Sequence, residues 1–272
     1  MEKIREAAGI LADGGIVAFT GAGISQESGI PTFRDPGGIW DRFDPHEFGT
    51  WDGVMRLAIQ RPDALAEFLG ELRSAFAGAR PGPAHRALVD LEEAGLLKGV
   101  ITQNVDGLHQ EAGNAAVVEV HGSFSRVSCL VCGHRERTST REFLEVLDRA
   151  ILGLRSAFVP SLAALLPRCA RCGGPARPDF VAFGEPVLDM GEAERLARGS
   201  RVLLVVGTHG EVYPAAGLPD VARGGGAAVV EVSTGRTSIS SDLRLTGQAG
   251  RILPRLVEEA ISRRRNGPRG PA

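Results

Sequence analysis

GAGISQESGIPTFR, residues 21–34, follows directly on the apolar run Ile16-Val17-Ala18-Phe19. A run this short and this apolar reads as a buried strand, and Gly21-Ala22-Gly23 after it lets backbone amides approach a phosphate closely. A dinucleotide-binding turn begins this way. The spacing then leaves the usual fingerprint: Gln26 stands where a third glycine is expected, and the next glycine is Gly29. The stretch runs on through Pro31, Phe33 and Arg34 instead of settling into a plain helix. An arginine and an aromatic carried past the phosphate site fit chemistry on the nucleotide. The competing reading is an ordinary glycine-rich turn between strand and helix, because short glycine motifs match by chance.

Outward from this turn, helical and strand signals alternate. The opening MEKIREAAGILADGG reads as an amphipathic helix, and a helix over Ala84–Ala94 leads to a strand at Gly99–Thr102. Val117–Val120 is a short strand, and a helix around Glu192–Arg198 precedes Val202–Val206, an unbroken aliphatic run typical of a strand buried on both faces. Ala227–Val232 is similar, interrupted only by Glu231, and Ile252–Ser262 closes the chain as a helix. This alternation predicts an α/β fold, a Rossmann-like parallel sheet with helices on both faces. Ligands of such sheets bind beyond the carboxyl ends of the strands. Polar or glycine-rich sequence stands at four of those ends: GAGIS, TQNVDGLH after Ile101, HG after Val120 and GTHGEV after Val206. Packing does not ask for that placement; one composite site does.

Two segments break the alternation. Residues 35–80 look mostly helical and contain Trp40, Trp51 and Phe68, and residues 126–177 hold every cysteine. The expected division is a Rossmann-like domain of residues 1–34, 81–125 and 178–262, with 35–80 and 126–177 forming a smaller helical and zinc-binding domain. Residues 263–272, basic and rich in Pro and Gly, read as a disordered tail.

The composition narrows the function. A chain of 272 residues with 43% hydrophobic content can bury a full core. A net charge of −2 provides no global field for nucleic acid or an anionic membrane. No apolar run approaches a membrane span and the N-terminus is not a signal peptide, so the expected compartment is the cytoplasm, where thiols stay reduced. Cys129-Leu-Val-Cys132 and Cys169-Ala-Arg-Cys172 are matched pairs, each followed by a glycine. The two-residue gap lets both thiolates of a knuckle converge on one tetrahedral ion, so the four cysteines predict a structural Zn²⁺ with no open position for catalysis. Disulfides or a redox pair are the alternatives. Between the pairs, Phe143, Leu144, Leu147, Ile151, Leu152 and Leu154 recur at roughly helical spacing, followed by PSLAALL at 160–166. Helices packing on the zinc module, or a partner-binding face, would account for them.

The loop after Ile101 concentrates amide, carboxylate and imidazole groups. Asn104 and Asp106 stand two apart, so in an extended segment both face one side; loop capping is the simpler role for Asp106. His109 reads as a satisfied polar residue on a following helix. His121 sits at the carboxyl edge of the sheet before Gly122, and imidazole is the group best suited to act as a base near neutral pH. Core packing and catalysis both fit such a histidine taken alone.

In this order the segments resemble the sirtuins, NAD-dependent protein-lysine deacylases. The resemblance spans nearly all of residues 1–260. It rests on GAGISQESGIPTFR, GIW at 38–40, TQNVDGLH, HG at 121–122, both CxxC pairs, RPDFVAFGE at 177–185, VVGT at 205–208 and VYPAAGLP at 212–219. It implies that NAD is consumed as a cosubstrate. Gly21, Ala22 and Gly23 would hold the pyrophosphate, and Ser25, Phe33 and Arg34 would shape the space at the nicotinamide ribose. Thr32, Trp40 and Gln103 would join the NAD-binding set. Asn104 and Asp106 would position and bind the nicotinamide, with Asn104 counted as catalytic. The acyl oxygen of the substrate attacks the ribose carbon as nicotinamide leaves. His121 then serves as general base on a ribose hydroxyl, and free lysine and O-acyl-ADP-ribose result. Val181, Phe183, Gly184 and Glu185 resemble the strand that pairs with the acyl-lysine peptide, with Val212 beside them. Gly207, Thr208, His209, Ser233 and Ala249 would serve the adenosine half.

Several positions depart from the family. His209 stands where serine is usual, Ser233 where asparagine is common, and the interval between the cysteine pairs is long. Members that prefer succinyl or malonyl lysine carry a Tyr-x-x-Arg pair in the helical insertion. The matching place, Phe68-Leu69-Gly70-Glu71-Leu72, lacks both, and Arg73 is one position off. An acidic acyl group would be uncompensated there, so neutral acyl groups are expected, acetyl first. A mono-ADP-ribosyltransferase or NAD hydrolase on the same fold is the alternative enzyme, and an NAD-sensing module the non-catalytic one. A sensor needs no base at His121, and a hydrolase needs no peptide strand.

Overall fold

The computed structural model describes residues 2–33, 37–156 and 166–266. Its larger sheet contains β1 (Ile16–Thr20), β2 (Leu97–Thr102), β3 (Val117–Glu119), β7 (Val202–Val206), β8 (Ala228–Ser233) and β9 (Leu243–Thr246). Their order is β3-β2-β1-β7-β8-β9, parallel throughout. The chain builds from β1 to one edge and from β7 to the other. β1 and β7 lie side by side where the strand order reverses, and in such sheets a ligand crevice lies at the carboxyl edge of that point.

The apolar runs of β1 and β7 are buried at every position because both faces are covered. One face carries α1 (Glu2–Ala12), α6 (Pro83–Glu93) and the last helix α11 (Ala249–Asn266), which bring Leu11, Leu88, Leu91, Leu253 and Leu256 into one core. The other carries α9 (Met190–Arg198) and α10 (Leu218–Gly224), through Ala193, Ala197, Leu218 and Ala222. Each such leucine, withdrawn fully from water, contributes about 2–3 kcal/mol before entropy is counted. Glu231, the one charge inside β8, is 1% exposed. Its carboxylate accepts from Arg244 Nε at 2.8 Å and Thr237 Oγ1 at 2.6 Å, which is what lets an ionised group sit there.

The helical insertion comprises α2 (Ile39–Arg42), α3 (Pro45–Phe48), α4 (Trp51–Gln60) and α5 (Pro62–Gly78). Along α5 packs α8 (Thr140–Arg155), which opens on a capping box: Ser139 Oγ accepts from Glu142 N, and Glu142 Oε2 accepts from Ser139 N. The cysteine-bearing segment forms a second, antiparallel sheet of β4 (Gly122–Cys129), β5 (Arg135–Arg137) and β6 (Ala176–Phe180), ordered β5-β4-β6. Five-residue α7 (Leu108–Ala112) follows the TQNVDG loop.

Some expectations change. Leu152 is 72% exposed and does not join the face that Phe143, Leu147 and Leu154 bury. The last helix runs on to Asn266, past the boundary expected at 262, because Ser262–Asn266 continues the turn beyond the buried Leu256, Val257 and Ala260. The remaining tail, 267–272, and residues 160–165 of PSLAALL lie outside the described residues. Among the described residues, no helix is long and apolar enough to cross a membrane.

Candidate active site and metal centre

The carboxyl edge of the larger sheet opens into a cavity of about 780 Å³, walled by the ends of β1, β2 and β7, by His121 and by the helical insertion. Gly21 and Gly23 do not present their amides to it as the sequence reading has it. Gly21 N donates to Val206 O at 3.0 Å and Gly23 N to Gly207 O at 2.9 Å. A Cβ on Gly23 would stand 2.7 Å from Gly207 Cα. These glycines exist because two strand-end loops touch backbone to backbone. Ala22 N is the amide of the turn not spent in those bonds. Two 3₁₀ turns, Ala22–Ile24 and Gln26–Ser28, replace a long helix and end at Gly29 with φ of 86°.

Ser25 is the hub of the polar wall. Its hydroxyl donates to Asp106 Oδ2 at 2.7 Å and accepts from Asn104 Nδ2 at 3.1 Å. Asn104 Nδ2 also donates to Gly21 O at 3.2 Å, which leaves the amide oxygen for the cavity. Asp106 does cap its loop, accepting from Leu108 N through Oδ1 at 3.0 Å. Burial pushes the Asp106 carboxyl up, and its hydrogen bonds from Leu108 and Ser25 oppose that. Behind Ser25 stands His85, with Nε2 3.4 Å from Ser25 Oγ and Nδ1 accepting from Gly82 N. Burial drives His85 down to about 4, so the ring is neutral.

His121 is held by two backbone facts. Its Nδ1 donates to Gln103 O at 3.1 Å, which frees Nε2 for the cavity. Gly122, at φ of 78°, lies so close to β6 that a Cβ there would come 1.9 Å from Asp179 O. The HG dipeptide is therefore fixed by strand crossing as much as by chemistry. Burial lowers the His121 pKa, the Gln103 carbonyl partly offsetting it. Gln103 in turn donates through Nε2 to Thr208 Oγ1 at 2.8 Å, tying the β2 end to the β7 end.

Residues 181–185, expected to meet the peptide, follow directly on the second sheet. β6 ends at Phe180, and residues 183–184 form a turn. Glu185 ties this turn down: its carboxylate folds back to accept from Ala182 N, from both Nη atoms of Arg177 and from Trp51 Nε1. Arg177 also stacks over Trp51 at 4.5 Å. Phe183 N donates to Gly49 O, and its ring, 40% exposed, lies 6.0 Å from that of Trp40. From Trp40 the cavity runs on between α5 and α8 as an arm lined by Leu69, Leu72, Phe76, Phe143, Val146, Leu147 and Ala150.

One wall thus unites Gly21, Ala22, Gly23, Ser25, Thr32, Phe33, Trp40, Gln103, Asn104, Asp106 and His121 with Gly207, Thr208, His209, Val212, Val181, Phe183, Gly184 and Glu185. Ser233 and Ala249 do not line it; Ser233 Oγ donates to Gly235 O instead. Arg34 lies outside the described residues. The sequence reading passed over His85, which shares the buried face of α6 with Ala84, Ala87, Leu88 and Leu91. A histidine amid apolar spacing looks like core, and only its partner Ser25 marks it otherwise.

Cys129, Cys132, Cys169 and Cys172 bring their four Sγ atoms within 4.8 Å of one another. Thiolates about 2.3 Å from one tetrahedral ion stand about 3.8 Å apart; Cys129 and Cys172 are 3.5 Å apart and Cys132 and Cys169 3.8 Å. Val131 N and Cys132 N donate to Cys129 Sγ, and Arg171 N donates to Cys169 Sγ. The donor set fits zinc, which would clasp β4 to the loop before β6 and supply no chemistry at the cavity. Stripping the metal with a chelator is expected to melt this sheet and, through the β6–Glu185 anchor, to abolish turnover, with near full recovery on adding Zn²⁺. Thermal melts and activity before and after chelation check it; undiminished turnover of metal-free protein would contradict it.

The Sir2 family model matches residues 21–214. An NAD-dependent protein deacylase of Desulfosudis oleivorans is 42% identical over 259 residues, 94% of this chain and 95% of its own. A Sir2 variant solved with a deacetylated p53 peptide and 3′-O-acetyl-ADP-ribose superposes with a TM-score of 0.76 at 30% identity, covering 95% of this chain and 98% of that one. A Sir2-family structure bound to a myristoylated histone peptide gives 0.72 at 34% identity, covering 97% and 99%.

Proposed function

This chain belongs to the Sir2 family, and from that premise we propose how its residues carry out NAD-dependent removal of acyl groups from protein lysine. It is an NAD-dependent protein deacylase that takes acyl-lysine peptides and holds a structural zinc ion. The observation that carries the proposed mechanism is the meeting, on one cavity wall, of a neutral His121 with the Ser25–Asn104–Asp106 cluster. The unspent Ala22 amide and Asn104 amide oxygen suit the phosphate and carboxamide of NAD. When bound, NAD supplies an activated ribose carbon and the acceptor for the acyl group. Asn104 and Asp106 orient the carboxamide end, fixed by Ser25. Thr32, Phe33 and Trp40 shape the space at the reacting ribose, and Gly207, Thr208 and His209 serve the far half. His121 Nε2 takes the proton of a ribose hydroxyl as the acyl group passes to it. Val181, Phe183, Gly184 and Val212 meet the peptide backbone, with Glu185 as their internal anchor.

Acetyl-lysine peptide with NAD, followed by mass spectrometry, tests the reading: nicotinamide, free lysine peptide and O-acetyl-ADP-ribose are expected in equal amounts. ADP-ribose released without peptide would favour NAD hydrolysis instead. We also assign the chain to the cytoplasm, and keep residues 1–34, 81–125 and 178–262 as the NAD-binding domain against a small domain of 35–80 and 126–177.

The acyl group is assigned as neutral. Arg73, one position off the family's arginine, does not line the cavity and is taken up by Asp148 through two hydrogen bonds; the arginine that does line it, Arg155, is exposed at the end of α8, and Glu67 and Glu71 line it with the opposite charge. The apolar arm between α5 and α8 accepts an alkyl chain longer than acetyl. Succinyl peptide is expected at about 100-fold lower kcat/KM than acetyl peptide, since an unpaired buried carboxylate costs several kcal/mol. Ala150→Phe should lower use of a long alkyl acyl group about tenfold and leave acetyl unchanged. Succinyl used as well as acetyl would refute the assignment.

A further inference from the structure

Beneath Asn104 lies a chain of buried polar groups that the proposed reaction does not use. Asn104 N donates to Thr102 Oγ1 at 3.0 Å, the hydroxyls of Thr102 and Thr20 are 2.8 Å apart, and Thr20 Oγ1 is 2.9 Å from His109 Nε2. Thr20, Thr102 and His109 are at most 2% exposed. Beyond the ring comes Asn114, whose Nδ2 donates to Glu92 Oε2 at 2.7 Å. Two atoms in this chain, His109 Nδ1 and Asn114 Oδ1, are buried without a partner at hydrogen-bond geometry. Asn114 nevertheless faces the ring closely enough to favour its protonated form against the burial that drives it down.

Either hydroxyl of a threonine pair can donate, because the hydrogen rotates to suit its surroundings. If Thr20 donates to Thr102, His109 must carry its proton on Nε2. Its bare Nδ1 then faces the Asn114 oxygen, acceptor against acceptor. The opposite order spends every proton. Thr102 donates to Thr20, Thr20 to His109 Nε2, His109 Nδ1 to Asn114 Oδ1, and Asn114 Nδ2 to Glu92. Buried polar groups are rarely left unpaired, which selects the second order.

We propose that His109 is a positioning residue for Asn104: a neutral imidazole protonated on Nδ1 and aimed at Asn114 Oδ1, whose Nε2 fixes the Thr20 and Thr102 hydroxyls and, through them, the main chain of Asn104. This rests on the role given above to Asn104. The device leaves the Asn104 side chain to Gly21 and Ser25 while setting the backbone from below, so the amide oxygen keeps one direction into the cavity. A histidine on the helix after the loop thereby acts on the loop's start, five residues back at Asn104, through the two threonines.

The tautomer is read directly from ¹⁵N chemical shifts in ¹⁵N-histidine-labelled full-length protein, with the His109 signals assigned by their loss in His109→Gln. A protonated Nδ1 and bare Nε2 are expected, and a protonated Nε2 would overturn the proposal. In assays with acetyl-lysine peptide and NAD, His109→Leu is expected to lower kcat about tenfold at unchanged KM for peptide. His109→Gln, whose oxygen can still accept from Thr20, should recover most of it. Full turnover in His109→Leu, or equal loss in both variants, would overturn the positioning role. Asn104→Ala separates the premise: undiminished turnover there would sink the role of Asn104 while leaving the tautomer result standing.

Discussion

His121→Ala is expected to lower formation of O-acetyl-ADP-ribose by about 10²–10⁴-fold, the range that a positioned general base contributes. One hydrogen bond prepares this base. With Nδ1 donating to the Gln103 carbonyl, Nε2 is a lone pair facing the cavity, and burial keeps the ring neutral at physiological pH. A base that takes the ribose proton acts after the nicotinamide bond has broken. Exchange of labelled nicotinamide into NAD should therefore survive in His121→Ala far better than deacetylation does. Parallel loss of both would mean that His121 shapes the pocket instead of moving a proton. The pH profile follows with a definite sign. Because the base works unprotonated and its pKa lies below the ordinary histidine value of 6.5, the acid limb of kcat/KM should fall below pH 6.5. A limb at or above 7 would contradict the burial argument.

The sheet was legible because its strands announce themselves twice, by aliphatic runs and by the polar sequence at their ends. Val202–Val206 and Ile16–Thr20 are buried at every position. By contrast, β9 is four residues with alternating burial, and Arg244 within it belongs to the ion pair with Glu231, so no apolar run marks it. Composition also cannot tell a glycine that admits a phosphate from one that admits another loop. Gly21 and Gly23 line the cavity and also admit another loop, and only the contact with Gly207 and Thr208 shows the latter. Glu185 is a similar case. Its motif placed it at the peptide site, but its carboxylate is also taken up by Arg177 of the same motif and by Trp51, 134 residues away. Asn104, Asp106 and His121 were readable as cavity residues because they stand at strand ends, and His109 as a buried polar residue on the helix that follows; its partner Thr20, 89 residues away, was not readable, nor was His85, whose partner Ser25 lies 60 residues away.

The two hidden histidines make the fold acid-labile, and this is the second large effect. Burial lowers His85 to about 4 and His109 to about 3. In the unfolded chain both return to about 6.5. Between those values the unfolded state binds more protons, so stability is fully present above pH 6.5 and is lost as pH falls below it. Each histidine contributes about 1.4 kcal/mol per pH unit once the unfolded ring is protonated, and His121 adds in the same direction. Asp106 runs the other way: its carboxyl is raised by burial, so the folded state takes up its proton first and recovers some stability as pH falls. The two deeper histidines outweigh it, for a net loss of roughly 2–3 kcal/mol per unit below pH 5.5. The two rings together withdraw about 4 kcal/mol by pH 5 and about 6 kcal/mol by pH 4, which is comparable to the lower end of a typical domain stability of about 5–15 kcal/mol. Urea midpoints from pH 7 to 4.5 give the slope, and His109→Gln, with no ring to protonate, should reduce it by about one proton. Stability that stays flat down to pH 5 would show that these rings are not held neutral, and with it would go the relay beneath Asn104.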